Sequence, residues 1–232
     1  MSLRFHDRRD AGRQLAAQLR THGYHDPIVL GLPRGGVPVA FEVALALDAE
    51  LDVFVVRKLG VRGHEELAMG AIASGGVRVL MPGVVQSLRI SDEVIERVAA
   101  REVIELERRE VAYRGHRPFP HLRGRTVIIV DDGVATGASM IAAIQAVRAL
   151  HPAQVIAAAP VIAAESRQHV LEHADACEAI AFPADFIAVG AWYEHFLPTT
   201  DEEVTGLLRE AAARTAHAAM LPDGVITMGV KA

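Results

Sequence analysis

Apolar residues in this chain fall into short aliphatic runs, separated by stretches in which they recur every three or four positions. The runs lie at 28–30, 51–56, 77–80, 126–130, 154–161 and 178–182. Aliphatic runs bounded by glycine, proline or charge predict strands buried on both faces. The intervening spacing predicts helices. Asp7 is placed to cap one that extends to about Thr21, with Leu15, Ala16 and Leu19 on one face and Gly23 as its stop. Others are expected over about 37–47, 138–150, 164–173 and 202–213. The clearest has Ser91 as cap and Asp92 and Glu93 in its first turn, and runs to about Tyr113. Its Glu93/Arg97 and Glu105/Arg109 pairs, four residues apart, predict a largely solvated charged face.

Strands alternating with helices of this length predict an α/β fold with a mostly parallel, twisted sheet flanked by helices. In such sheets ligands bind beyond the carboxyl ends of the strands. That rule singles out Arg34-Gly35-Gly36, Arg57-Lys58 and the segment after Val130. No repeat or low-complexity linker divides the chain, so one domain is expected over 1–232, with a core at about 25–195 and a mobile tail within 216–232. The hydrophobic fraction is 51% but the aromatic fraction only 5%, which favours aliphatic parallel strands over a sandwich. Twenty-four basic against twenty-nine acidic residues give −5, so no global charge draws the chain to nucleic acid or a membrane surface. The charge-free stretch 153–164 is short and contains Pro160, and the first ten residues are charged where a secretory signal needs an apolar core. With a single cysteine, Cys177, these features predict a cytoplasmic protein.

The most informative segment is Val127-Ile-Ile-Val-Asp-Asp-Gly-Val-Ala-Thr-Gly-Ala-Ser139. An aliphatic strand emerges into two adjacent acids, then a small-residue turn with Thr136 and Ser139, then a helix. Such a turn can aim backbone N–H groups at a phosphate, helped by the helix N-terminus. Adjacent carboxylates at a strand end suit diol hydroxyls or a hydrated divalent metal. There is no P-loop, Rossmann fingerprint or nucleophile elbow in the chain.

This segment closely resembles the phosphoribosyl pyrophosphate (PRPP) motif of type I phosphoribosyltransferases. Leu32-Pro-Arg-Gly-Gly-Val-Pro38 is similar to the family's pyrophosphate loop, and Val55-Val-Arg-Lys58 to its basic pair at the second strand. The Gly-punctuated stretch 59–75 stands where the family carries a flexible catalytic loop. Within the family, the chain is most similar to a bacterial group of unassigned substrate, through Arg34-Gly-Gly-Val-Pro38, Glu66-Leu-Ala-Met-Gly-Ala-Ile-Ala73 and Arg123-Gly-Arg-Thr-Val-Ile-Ile-Val-Asp-Asp-Gly133.

The resemblance implies a type I phosphoribosyltransferase-like fold with a small hood, Mg²⁺ as cofactor, and transfer of ribose 5-phosphate to a nitrogenous acceptor such as a nucleobase. Asp131 and Asp132 would hold the ribose hydroxyls, and Ala135, Thr136, Gly137, Ala138 and Ser139 would cradle the 5′-phosphate. Arg34, Gly35 and Gly36 would bind pyrophosphate, with Arg57 and Lys58 adding charge there. Mg²⁺ would be held mainly by substrate and water, with Asp131 and Asp132 in reach. Dimerisation is a family-level expectation.

Where 6-oxopurine enzymes carry an aspartate in the turn this chain has Ala135, closer to the adenine enzymes. Glu65, with Glu66, is a candidate for acid–base work or metal contact against the alternative of a solvated loop pair. Phe186 and the sole tryptophan, Trp192, are candidates to stack on a planar acceptor, with core packing as the alternative. Cys177 reads as a packed thiol. A different class of function fits the same motifs: a PRPP- or nucleotide-sensing regulator with little or no transfer activity.

Overall fold

A computed structural model describes residues 4–61 and 64–220, with side chains described outside 64–67 and 216–220. In chain order it begins α1 (Arg8–Leu19), β1 (Pro27–Gly31), α2 (Gly36–Leu47), β2 (Glu50–Val53), β3 (Val56–Val61), β4 (His64–Ala73) and β5 (Val77–Leu80). It continues α3 (Pro82–Ser87), α4 (Asp92–Arg114), β6 (Thr126–Val130), α5 (Ala138–Arg148), β7 (Gln154–Ala158), α6 (Ala164–Leu171), β8 (Ala176–Glu178) and α7 (Asp201–Met220). The α/β class expected from the sequence is the fold observed.

Five parallel strands form one sheet in the order β2-β1-β6-β7-β8. The chain proceeds from β1 outward to β2 on one side and from β6 outward to β8 on the other. The crevice between β1 and β6 is therefore the point where strand order reverses, the place where ligands bind in open α/β sheets. Period-two alternation assigns each strand to two apolar layers. Val29, Ile128, Val130 and Ile156 pack with α1, α2, α4 and α7. Ile28, Leu30, Ile129 and Val155 point the other way, onto α5 and α6.

The apolar run 51–56 proves to serve two sheets. β2 ends at Val53, Phe54 donates its N–H to the Gly31 carbonyl at 3.0 Å, and β3 starts at Val56 in a separate antiparallel sheet, β3-β4-β5. The stretch expected to be a flexible loop, 59–75, lies mostly within this sheet, paired from Val56 opposite Ala73 to Val61 opposite His64. Glycine there answers a packing demand: a Cβ on Gly70 would lie 2.3 Å from the Val79 carbonyl oxygen of β5. Residues 62 and 63, in the middle of that stretch, lie outside the described residues.

Asp7 caps α1 as expected, accepting the Asp10 N–H at 2.8 Å, and Gly23 ends the following turn with φ of 60°. Ser91 stands at the N-cap of α4, but its carbonyl rather than its hydroxyl takes the first bonds, from Val94 and Ile95. The final helix outruns its predicted end at 213 and reaches Met220, over a stretch rich in alanine, the best helix former. This overlaps the tail expected from 216, of which 221–232 lie outside the described residues. Among the described residues no helix is long and apolar enough to cross a membrane.

At the end of α4, Arg114 is buried and bonds Asp52 of β2 at 3.0 Å, Glu110 at 3.0 Å and the Val53 carbonyl at 3.0 Å. Removing one partner of a buried pair leaves the other charge uncompensated. Arg114→Ala is expected to lower unfolding free energy by about 3–5 kcal/mol, seen as a lower urea midpoint with an unchanged slope.

Candidate active site at the strand ends

β1 and β6 run side by side, with Gly31 opposite Val130 as the last pair. The ladder extends one bond further, from the Leu32 N–H to the Val130 carbonyl at 2.9 Å. The loops leaving the two strands are thereby forced into contact. The Pro33–Arg34 peptide is cis. A Cβ on Gly35 would sit 2.0 Å from Oδ2 of Asp132, and one on Gly36 2.6 Å from the Val130 carbonyl oxygen. Only glycine at both positions lets the first loop lie flush against the acidic pair.

Asp131 and Asp132 are both half-buried in this crevice. Oδ1 of Asp131 accepts the Asp132 N–H at 2.8 Å. Arg8, at the start of α1, donates from Nε to Oδ2 of Asp132 at 2.7 Å, and the Tyr193 hydroxyl donates to the Asp132 carbonyl. Burial pushes the Asp131 carboxyl well above the usual range, and the neighbouring Asp132 charge pushes it further. Burial raises Asp132 too, while the Arg8 bond works against that rise. Two carboxyl groups thus share one guanidinium in a crevice that disfavours a second negative charge, so Asp131 keeps its proton to higher pH than a free carboxyl does.

Beyond the acids, Ala135, Thr136, Gly137, Ala138 and Ser139 line a cavity of about 190 Å³ together with Asp131 and Val189. Gly137 has φ of 77°, the left-handed geometry that turns the chain into α5. The turn is held from behind. Val134 exchanges backbone bonds with Val161 and Ala163, and the buried Ser166 hydroxyl of α6 donates to the Ala135 carbonyl. From the front, a short 3₁₀ turn at Val189–Trp192 presses so close that a Cβ on Gly133 would meet Val189 at 2.5 Å. The segment carrying that turn stands as the hood over the strand ends.

The cations expected at pyrophosphate divide into two groups. Arg34, half-exposed beside α7, lies 3.8 Å from Asp201. Arg57 and Lys58 line a second cavity, of about 1010 Å³, with Ser139 of the turn and Arg97, Arg101 and Glu102 of α4. Glu102, buried, holds Arg57 through Nε at 2.9 Å and Nη2 at 2.6 Å. Its other oxygen accepts Arg101 at 3.1 Å. The α4 face expected to be solvated thus includes a carboxylate committed to a strand, while Glu105 pairs with Arg108 and Arg109 in the expected manner.

Trp192 packs on a small cluster of Phe5, Ala11 and Tyr193, and its carbonyl accepts the Phe5 N–H at 2.8 Å. The ring is half-buried in these contacts. Phe186 is half-buried, next to Ile187, which is 90% exposed. Glu65 lies on β4, and its side chain falls outside the described residues. Cys177 is buried, and burial pushes its thiol up to about 11, as suits a packed thiol. Among the described residues no three His, Cys, Asp or Glu side chains are grouped to hold a metal.

Sequence reasoning missed Arg8, Tyr193, Ser166 and Glu102. Arg8 and Tyr193 reach Asp132 across 124 and 61 residues, separations at which local periodicity carries no signal. Each would have required knowing that α1 and the hood meet at the strand ends.

The raised Asp131 carboxyl fixes the sign of a pH effect. A carboxyl whose folded value exceeds its unfolded one favours the folded state at low pH, and that contribution is lost as pH rises through the folded value. Asp131→Asn removes this loss. Urea midpoints of the ligand-free protein measured from about pH 4 to 8 are expected to fall less in the variant than in the wild type, with the variant at least as stable at neutral pH.

Residues 3–194 match the family model of the phosphoribosyl transferase domain. Two Mycobacterium tuberculosis proteins with provisional phosphoribosyl transferase names, Rv0571c of strain H37Rv and MT0597 of strain CDC 1551, are 47% identical to the chain over 207 residues. The alignment covers 89% of this chain and 47% of each of theirs, so the chain spans about half the length of the curated relatives it matches. The crystal structure of TT1426 from Thermus thermophilus superposes with a TM-score of 0.83 at 47% identity, over 90% of this chain and 99% of that one. The matched span takes in α1 with Arg8, both strand-end loops, the acidic pair and the turn beyond it, and by that match the chain belongs to the phosphoribosyl transferase domain family.

Proposed function

We propose that the chain is a Mg²⁺-dependent phosphoribosyltransferase that moves ribose 5-phosphate from PRPP to a nitrogenous acceptor, a nucleobase, and releases pyrophosphate. The observation that carries this reading is the contact between the Arg34–Gly36 loop and the Asp131–Asp132 pair at the point where strand order reverses. It sets a cation-bearing glycine loop against two carboxylates, and the turn lining a cavity of about 190 Å³ follows directly beyond them, which supports the reading.

In this reading Asp131 and Asp132 accept from the ribose 2′- and 3′-hydroxyls, and Ala135–Ser139 receive the 5′-phosphate at the N-terminus of α5. Arg34 and the amides of Gly35 and Gly36 take the pyrophosphate, with Arg57 and Lys58 at its far end. The bond from ribose C1 to the pyrophosphate oxygen breaks, its electron pair leaves with pyrophosphate, and an acceptor nitrogen forms the new bond to C1. Fixed guanidinium and amide donors stabilise the leaving group as its charge develops. The hood, closed over Gly133 by Val189, limits the access of water, which would otherwise compete with the acceptor. Glu65 remains the proposed acid–base group, and Phe186 and Trp192 the proposed partners for stacking on a planar acceptor.

The residues present suit Mg²⁺ in one manner. The acidic pair is under-neutralised by Arg8 alone, and among the described residues no third ligand stands near to complete a protein cage. Asp131 and Asp132 would therefore contact a cation carried largely by substrate and water, and that cation would neutralise charge on the diphosphate.

Isothermal titration with PRPP and Mg²⁺ tests the binding step. Asp131→Asn/Asp132→Asn is expected to weaken PRPP by about 10- to 100-fold, the loss of hydrogen bonds to charged groups, and unchanged binding would sink the reading. Pyrophosphate release across a panel of bases tests transfer. Release with one base supports transferase activity, release with none of them required points to hydrolysis, and binding without release points to the sensing regulator.

A further inference from the structure

Arg8 stands outside the motifs by which the strand-end site was read, yet its guanidinium occupies the junction of that site with the hood. Nε donates to Oδ2 of Asp132 at 2.7 Å, and Nη1 donates to the Leu197 carbonyl at 2.6 Å. The same group lies 3.9 Å from the centre of the Phe196 ring. Phe196 stacks on Tyr193 at 5.0 Å between centres, and the Tyr193 hydroxyl returns to the Asp132 carbonyl. Asp132 is thus held through its side chain by Arg8 of α1 and through its backbone by Tyr193 of the hood, and Arg8 supplies the positive charge in that ring of contacts. The Arg8 and Asp132 side chains are 12% and 14% exposed, so the ion pair is little screened by solvent.

We propose that Arg8 is a positioning residue that couples ligand at Asp132 to the hood segment 193–197. The proposal rests on the reading of Asp132 as a ribose contact. Arg8 fixes the rotation of the Asp132 carboxylate through Oδ2 and leaves Oδ1 for a ligand hydroxyl. A hydroxyl bound there withdraws charge from the ion pair, and the guanidinium shifts its hold toward the Leu197 carbonyl and the Phe196 face. The planar fork matters to this role, because its nitrogens engage the two oxygens at once while its face covers the ring; an ammonium has the charge without that geometry. Filling the ribose site therefore tightens the cover under which the acceptor must enter.

The chain carries its own reporter, since the sole tryptophan, Trp192, immediately precedes Tyr193 in the hood. Titration of wild type with PRPP and Mg²⁺ is expected to change Trp192 emission. Arg8→Gln is expected to bind PRPP about tenfold more weakly and to lose the emission change, and Arg8→Lys to recover affinity in part without the emission change. In an Asp132→Asn background, Arg8→Gln should add less than about a twofold further loss, because it acts through the carboxylate already removed. Wild-type affinity and emission response in both Arg8 variants, or losses that add fully to that of Asp132→Asn, overturn the proposal and leave the phosphoribosyltransferase reading intact. Absence of PRPP binding by the wild type overturns both. Should Arg8→Gln fail to fold, Arg8→Lys decides alone: a retained emission response counts against the coupling and a lost one supports it.

Discussion

The parallel pairing of β1 with β6, ending at Gly31 and Val130, is the constraint on which the strand-end site depends. Backbone bonds fix the separation of the two strands at roughly 4.8 Å, so the loops that follow have no freedom to stand apart. The close approach of the first loop to the second descends from that spacing: Gly35 lies against the Asp132 carboxylate and Gly36 against the backbone at Val130. The apolar layers on either side keep the sheet from yielding. Val29, Ile128 and Ile156 are fully buried on one face, and Ile28, Ile129 and Val155 on the other. Polar chemistry is possible here because it stands on a rigid aliphatic floor.

What could be read from the sequence followed from how local the cause was. β6 and the turn beyond it were legible because an uninterrupted aliphatic run, two acids and a small-residue turn lie in consecutive positions. The same rule misled at 51–56, where Phe54 and Val55 prolong the apolar run while the backbone passes from one sheet to another. At 59–75 glycine punctuation reads as a loop, and the structure pairs most of the stretch as strands. Of the glycines there, Gly70 marks strands lying close together, as its approach to Val79 shows, while Gly60 faces open space. Composition cannot tell a glycine that needs room to move from one that leaves room for a neighbour.

Charge was harder to read for a related reason. Spacing four residues apart found Glu105 and Arg109, neighbours by helix geometry. It had no means of finding Glu102 with Arg57, 45 residues apart, or Arg8 with Asp132, 124 apart. The overall balance of −5 is equally silent on them. The local arrangement governs the chemistry: acids gather in the crevice with one guanidinium beside them, while arginines and Lys58 line the larger cavity beyond Ser139.

Glu102 gives that cavity a property that a plain basic patch lacks. Its carboxylate already satisfies Arg57, so an anion entering the cavity must compete with a resident counter-ion for that guanidinium. Helix α4 and the incoming anion draw on the same positive charge, and a gain for one is a loss for the other. The same ion pair ties α4 to β3, so the packing of helix on strand and the charge on the cavity wall rest on one contact. The charge that Arg57 shows the cavity is what remains after the buried carboxylate of Glu102 has taken its share.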